Sequence, residues 1–192
     1  MSSYTDRTYI VFLELPRDIS EKIDIVRSKY SSSYKKYPAH ITLKQDEDYL
    51  IPSDEICRIV YKQIKSYVLL NVKIKSPAIA VSEAGWNIYL PARSDDLRKL
   101  TKKISKSLEN YIDPKSPRAF LSTKWEQSDK FYAHISIKGG NIKVDPKDIL
   151  AKIKKDKFGF DFPKAVTCKT VTIANWQGNK WEKVKSFNLK NV

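Results

Sequence analysis

Tyr37-Pro38-Ala39-His40-Ile41-Thr42-Leu43-Lys44 and Phe131-Tyr132-Ala133-His134-Ile135-Ser136-Ile137-Lys138 are two versions of one phrase. Aligned on histidine they share Ala, His, Ile and Lys. Both also keep an aromatic residue at the first position, a hydroxyl two residues after His, and an aliphatic after that. The chain has 2 histidines, and these phrases hold both. In each, apolar residues alternate with His, Thr or Ser, and Lys, the period of a half-buried strand. The alternation predicts His40, Thr42 and Lys44 on one face of the first strand, and His134, Ser136 and Lys138 on one face of the second.

Working outward from the phrases, Thr8 to Leu15 is rich in β-branched and aromatic residues and reads as a buried strand stopped by Pro16. Ser20 to Tyr30 and Ser53 to Tyr67 carry apolar residues at helical spacing, with Ser53 as the expected N-cap of the latter. Val68 to Val81 is extended and broken near Pro77, and Trp86 to Leu90 is a strand that Pro91 is expected to close. Asp95 to Tyr111 is the clearest amphipathic helix. Ile112 to Asp129 shows no period and reads as a long loop, a common place for functional residues. Gly139-Gly140-Asn141 is expected to end the second histidine strand, and Asp145 to Lys155 to form a helix opened by Pro146. The tail holds two strands joined at Gly178-Asn179, a hairpin signal. This order is α+β, and the duplicated phrase predicts one domain over residues 1–192 built of two pseudo-symmetric lobes.

Lys+Arg number 36 against 22 Asp+Glu, for a net charge of +14, which favours polyanionic partners and leans towards RNA. With 11% aromatic residues and only 5 Gly, the composition is globular. The 2 cysteines, Cys57 and Cys168, are far apart and have no CxxC partner, so neither a disulfide framework nor a zinc site is expected. The first residues show no secretory signal, and no apolar run approaches the ~20 residues of a membrane span. A soluble, cytoplasmic protein is expected, monomeric and without an obligatory protein partner.

On a strand, residues i and i+2 point the same way, about 6–7 Å apart. Each phrase thus offers an imidazole and a hydroxyl to one pocket. One neutral imidazole can accept a proton from an attacking group while the other, protonated, donates to the leaving oxygen, and the hydroxyls can donate to phosphate oxygens. The predicted catalytic residues are therefore His40, His134, Thr42 and Ser136. No metal or other cofactor is expected, because two histidines without neighbouring carboxylate or cysteine ligands make a poor zinc set. Ser136 as a nucleophile is disfavoured, since it shares a strand with its own histidine and no nucleophile-elbow motif is present. Lys44 and Lys138 extend the two polar faces towards phosphate. Tyr37, Trp125 and Tyr132 are placed to stack on a base, and Arg118 in the long loop is a further candidate.

His40-Ile41-Thr42-Leu43 and His134-Ile135-Ser136-Ile137 resemble the paired His-x-Thr/Ser-x motifs of the 2H phosphoesterase superfamily, which includes 2'-5' RNA ligase-like proteins and 2',3'-cyclic phosphodiesterases. Serine in the second motif also resembles the U6 RNA 3'-end phosphodiesterase branch. The resemblance spans essentially the whole chain. It implies a bilobal α+β fold, two antiparallel sheets with outer helices, and a central cleft floored by both motifs. It also implies metal-independent phosphodiesterase chemistry on 2',3'-cyclic phosphates or 2'-5'-linked nucleotides, with RNA or an (oligo)nucleotide as substrate. Ligation to a 2'-5' bond uses the same groups. Cyclic oligonucleotide or 2'-5' oligoadenylate signals are alternative substrates, and a non-catalytic RNA-binding module is the alternative from another class. Which histidine is acid and which is base stays open at this point.

Overall fold

A computed structural model describes residues 6–31, 35–82, 85–117, 119, 123–129, 131–140, 145–155 and 164–191. Arg118 lies outside the described residues. Among those described, nine strands and five α-helices run in the order β1 (Thr8–Glu14), α1 (Arg17–Tyr30), β2 (His40–Asp48), α2 (Ser53–Ile64), β3 (Leu70–Ile74), β4 (Ala78–Ser82), β5 (Gly85–Arg93), α3 (Asp95–Leu108), α4 (Thr123–Gln127), β6 (Ala133–Gly140), α5 (Pro146–Lys155), β7 (Ala165–Cys168), β8 (Thr170–Trp176) and β9 (Trp181–Asn188). The class is α+β. One antiparallel sheet has the order β2-β1-β8-β9. The other has β4-β5-β3-β7, with β6 paired along β5. The edge strands β2 and β6 pack against one another, so the two histidine phrases meet where the sheets meet. Helices cross this seam as well: α1 packs on β6 and α3 on β2. One large cluster of buried apolar residues runs through both sheets, from Val11, Leu13 and Ile41 to Ile88, Leu90 and Ile135.

Several boundaries differ from the sequence reading. Helix α2 is capped by Pro52 rather than Ser53, with no side-chain cap hydrogen bond. Helix α3 is capped by Ser94, whose Oγ accepts from Leu97 N at 3.5 Å. Pro91 lies inside β5, opposite His134, rather than at its end. Its carbonyl accepts from Lys75 N, so its absent N–H faces the break between β3 and β4 rather than the β6 ladder. Gly139 and Gly140 continue β6. Gly140 is required there by contact, because a Cβ would come within 2.1 Å of the Trp86 indole opposite it. The stretch without period contains the short helix α4. The closing hairpin of β8 and β9 turns at Gly178, whose φ of 82° suits glycine.

The predicted alternation holds through His40-Ile41-Thr42 and then fails. Phe12 pairs with Thr42, but Val11 pairs with Lys44, which leaves Leu43 as an extra residue. In the second phrase Tyr89 pairs with Ser136 and Ile88 with Lys138, leaving Ile137 extra at the equivalent position. A β-bulge therefore comes after the hydroxyl in both phrases. A bulge sets two residues of one strand against one of the other and re-aims the residues beyond it. Leu43 and Lys44 both lie opposite the core residue Val11, and both are 0% exposed.

Lys44 is consequently no part of the His40–Thr42 face, contrary to the alternation. Its ammonium lies 3.0 Å from Glu126 Oε2 and 3.3 Å from Glu47 Oε1, with Thr123 Oγ1 at 3.4 Å. Glu126 also accepts from Gln45 N at 2.7 Å and Ser105 Oγ at 2.8 Å. Removing one partner from such a buried set leaves charge without compensation, at a cost of about 3–5 kcal/mol. Lys44→Ala is expected to lower unfolding free energy in urea by about that amount, and Lys44→Met/Glu126→Gln to recover part of it.

Candidate active site

His40 opens β2 with its ring packed against Phe12 and Tyr37, at centroid separations of 4.7 and 5.8 Å. Its Nδ1 lies 2.8 Å from the Pro38 carbonyl oxygen. A carbonyl can only accept, so Nδ1 carries the proton and Nε2 is left with its lone pair. Helix α1 holds the segment that supplies this carbonyl. Ser20 Oγ donates to Ala39 O, Asp24 Oδ2 accepts from Ala39 N at 3.1 Å, and the buried Arg27 donates to Tyr37 O at 3.1 Å while pairing with Asp24 at 2.5 Å. Ser20, Asp24 and Arg27 fall at i, i+4 and i+7 of one helix, hence on one face.

His134 has the same surroundings on β6. Tyr89, Trp125 and Tyr132 surround its ring at 5.2, 6.4 and 6.1 Å. Its imidazole also hydrogen-bonds the backbone of Tyr132, two residues earlier, as His40 does with Pro38. This bond favours the protonated ring, so the Tyr132 carbonyl is the acceptor.

Burial decides the proton affinity of both rings. Desolvation pushes His40 down to about 4, against the raising effect of the Pro38 carbonyl, with the charges of Arg27 and His134 lowering it further. The charge of His134 thus reaches His40, as the smallest of these effects. His134 is also lowered, chiefly by desolvation. Both are thus neutral at pH 7 in the unliganded protein. Burial pushes the Tyr37 and Tyr89 phenols up to about 12, so both stay neutral.

Thr42 lies two residues beyond His40 on β2, half-buried. Ser136 is exposed on β6, and its Oγ accepts from Asn87 Nδ2 at 3.1 Å. The amide takes one lone pair of the hydroxyl and leaves the hydroxyl proton for another acceptor. Tyr37 packs on His40, and Trp125 and Tyr132 pack on His134, so these three predicted residues are at the site. Lys138 is half-buried and pairs with Ile88, beyond the register shift that follows Ser136. Among the described residues no three His, Cys, Asp or Glu side chains form a metal-ligand set.

The sequence reading missed Phe12, Tyr89 and Asn87, which reach the histidines and Ser136 through strand pairing at long range. It also missed the Ser20–Asp24–Arg27 clamp. Its signal was a polar line at helical spacing on a helix read only for its apolar face.

No family model and no curated protein sequence matches the chain. Solved structures do. TT0787 of Thermus thermophilus superposes with a TM-score of 0.62 at 11% identity, covering 96% of this chain and 98% of its own. E. coli LigT complexed with 3'-AMP gives 0.59 at 13% identity, covering 96% and 99%. LigT complexed with phosphate gives 0.58 at 12% identity, covering 96% and 98%. No helix among the described residues is long and apolar enough to cross a membrane. Two antiparallel sheets, their meeting edges and these superpositions give the chain the fold of TT0787 and LigT.

Proposed function

We propose that this protein is a phosphodiesterase that opens 2',3'-cyclic phosphates or 2'-5' linkages of RNA ends or (oligo)nucleotides, using His40, His134, Thr42 and Ser136 and no metal. The observation that carries this reading is the repeated unit on β2 and β6. In each, an imidazole is held by the backbone two residues earlier and a hydroxyl stands two residues later. The crystal complexes of LigT, which shares the fold, with phosphate and with 3'-AMP support a nucleotide phosphate as the class of ligand.

His40 has the more depressed proton affinity, so the single proton of a half-protonated pair resides on His134. This favours His40 as base and His134 as acid. Water attacks phosphorus as His40 Nε2 takes its proton, the P–O bond to one ribose oxygen breaks, and His134 protonates that oxygen. The product is a phosphomonoester beside a free hydroxyl. Thr42 and Ser136 donate to the non-bridging oxygens, where charge grows in the transition state. Ligation runs the same steps in the same direction with a ribose hydroxyl in place of water, so that opening the cyclic phosphate leaves a phosphodiester and a free hydroxyl.

An RNA oligonucleotide ending in a 2',3'-cyclic phosphate is expected to be opened in EDTA by the wild type. His40→Ala and His134→Ala should each lose roughly 10²–10⁴-fold in kcat, and Thr42→Ala or Ser136→Ala roughly 10²–10³-fold. Binding without turnover by the wild type would select the RNA-binding module instead.

The pH dependence comes from the two depressed histidines. Activity of the free enzyme needs His40 neutral, which holds above about 4, and His134 protonated, which is lost below its ordinary value of 6.5. The kcat/KM profile is therefore expected to be a bell with its maximum between about 4 and 6.5. Bound phosphate raises both imidazoles, so kcat should peak at higher pH than kcat/KM. A kcat/KM that rises steadily from pH 5 to 9 contradicts the two-histidine scheme.

A further inference from the structure

One cavity reaches His40 itself and another reaches the Trp125 and Tyr132 rings that pack on His134, and their described walls differ in charge. On the His40 side, about 640 Å³ opens between α1, the segment before β2 and the β8–β9 hairpin, and its wall includes Arg17, Lys35, Lys36, Lys180 and Lys183. On the His134 side, about 510 Å³ is bounded by Trp86, Asn87, Trp125, Tyr132 and small residues, with no charged side chain among the described residues that line it. Three carboxylates share the first wall, Glu14, Glu21 and Asp24. Each is engaged: Glu21 with Arg17 at 2.7 Å, Glu14 with Lys183 at 3.4 Å, and Asp24 with Arg27. The surplus positive charge is that of Lys35, Lys36 and Lys180. Lys180 is paired at 2.9 Å with Glu182, but both side chains are more than half exposed, and such a pair contributes little in water.

Aromatic rings interleave with these cations. Trp181 lies on the cavity wall beside Tyr37 and Phe12. Its ring packs on Trp176 at 5.2 Å, and its backbone N–H donates to Lys36 O at 3.3 Å. The Lys36 ammonium sits 5.3 Å over the Trp176 ring. The hairpin base and the segment leading to His40 therefore form one wall. Cations alternating with stackable rings, continuous with a phosphate-handling site, are the pattern of a single-stranded nucleic acid groove.

We infer that the site acts on a single-stranded oligonucleotide rather than a mononucleotide. The terminal base occupies the uncharged Trp125–Tyr132 cavity, and the rest of the strand runs over Lys35, Lys36, Lys180 and Trp181. This inference rests on the phosphodiesterase reading for its reaction, but the groove itself is open to a binding test. The asymmetry between the cavities sets the polarity. An uncharged aromatic pocket suits a nucleobase, whereas a phosphodiester chain gains from the basic wall.

The test compares wild type with Lys35→Ala/Lys180→Ala, both exposed positions outside the catalytic set. A fluorescein-labelled RNA decamer ending in a 3'-phosphate, which has no cyclic bond to open, reports binding by anisotropy across a salt series. Each lost phosphate contact lowers the log–log salt slope by about 0.7 for a single strand, so the variant should bind at least tenfold more weakly with a slope lower by about 1.4. Turnover is measured on the decamer ending in a 2',3'-cyclic phosphate and on a 2',3'-cyclic mononucleotide. The variant should lose at least tenfold in kcat/KM on the decamer and stay within twofold of wild type on the mononucleotide. Unchanged affinity and slope, equal losses on both substrates, or a wild type as efficient on the mononucleotide as on the decamer would each overturn the inference. A wild type that opens neither compound removes the phosphodiesterase reading instead, and anisotropy alone then decides whether the groove binds RNA.

Discussion

The ammonium of Lys44, buried between Glu126 and Glu47, is the interaction on which the geometry of both histidines converges. It reaches the core only because a bulge comes after Thr42 and turns the next residues inward. From there it holds α4 through Glu126, and α4 carries Trp125, whose ring stands beside His134. A side chain four residues past the first histidine thus anchors the helix that shapes the surroundings of the second. Glu126 closes the set by accepting from Gln45 N on β2 and from Ser105 on α3, so strand and both helices share one carboxylate. Burial pushes the Glu47 carboxyl up, which moderates the surplus of negative charge around a single ammonium.

The duplication extends further than eight residues of similar sequence. Both phrases have a bulge after the hydroxyl, an aromatic residue opposite that hydroxyl on the neighbouring strand, and an imidazole held by the backbone two positions back. Phe12 opposite Thr42 corresponds to Tyr89 opposite Ser136. What differs is the support. The segment before His40 is clamped by Ser20, Asp24 and Arg27 of α1, whereas Ser136 is oriented by Asn87 of β5. The flanking cavities differ in charge in the same sense, so a symmetric scaffold presents an asymmetric surface to its ligand.

The sequence exposed the strand pair, the shared faces of His40 with Thr42 and His134 with Ser136, the amphipathic α3 and the closing hairpin, because each rests on local periodicity or turn chemistry. It misplaced Lys44 because a bulge is a property of two paired strands, and its cost and benefit lie in the partner, here Val11. Strict alternation read along one strand has no means of registering it. Pro91 was misread for a related reason: its tolerance inside β5 depends on a gap between β3 and β4 on the far side of the ladder. Phe12 and Tyr89 looked like ordinary core residues of apolar strands, and only the pairing register turns their rings to the histidines.

The aromatic packing around both imidazoles has a consequence for how the acid is made. Two rings that both lose their protons below the ordinary value, His40 the more strongly, give a site with two bases and no acid at neutral pH. A phosphate placed between them changes that balance, since an anion in a low-dielectric setting favours the charged form of a neighbouring imidazole. In the proposed reaction the substrate supplies the field that protonates His134, and the proton arrives with the group that needs it. His40, more deeply desolvated and beside the buried Arg27, resists the same pull and stays a base. On this view the aromatic cages do more than position the rings, because they couple the protonation of the pair to occupancy by a phosphate.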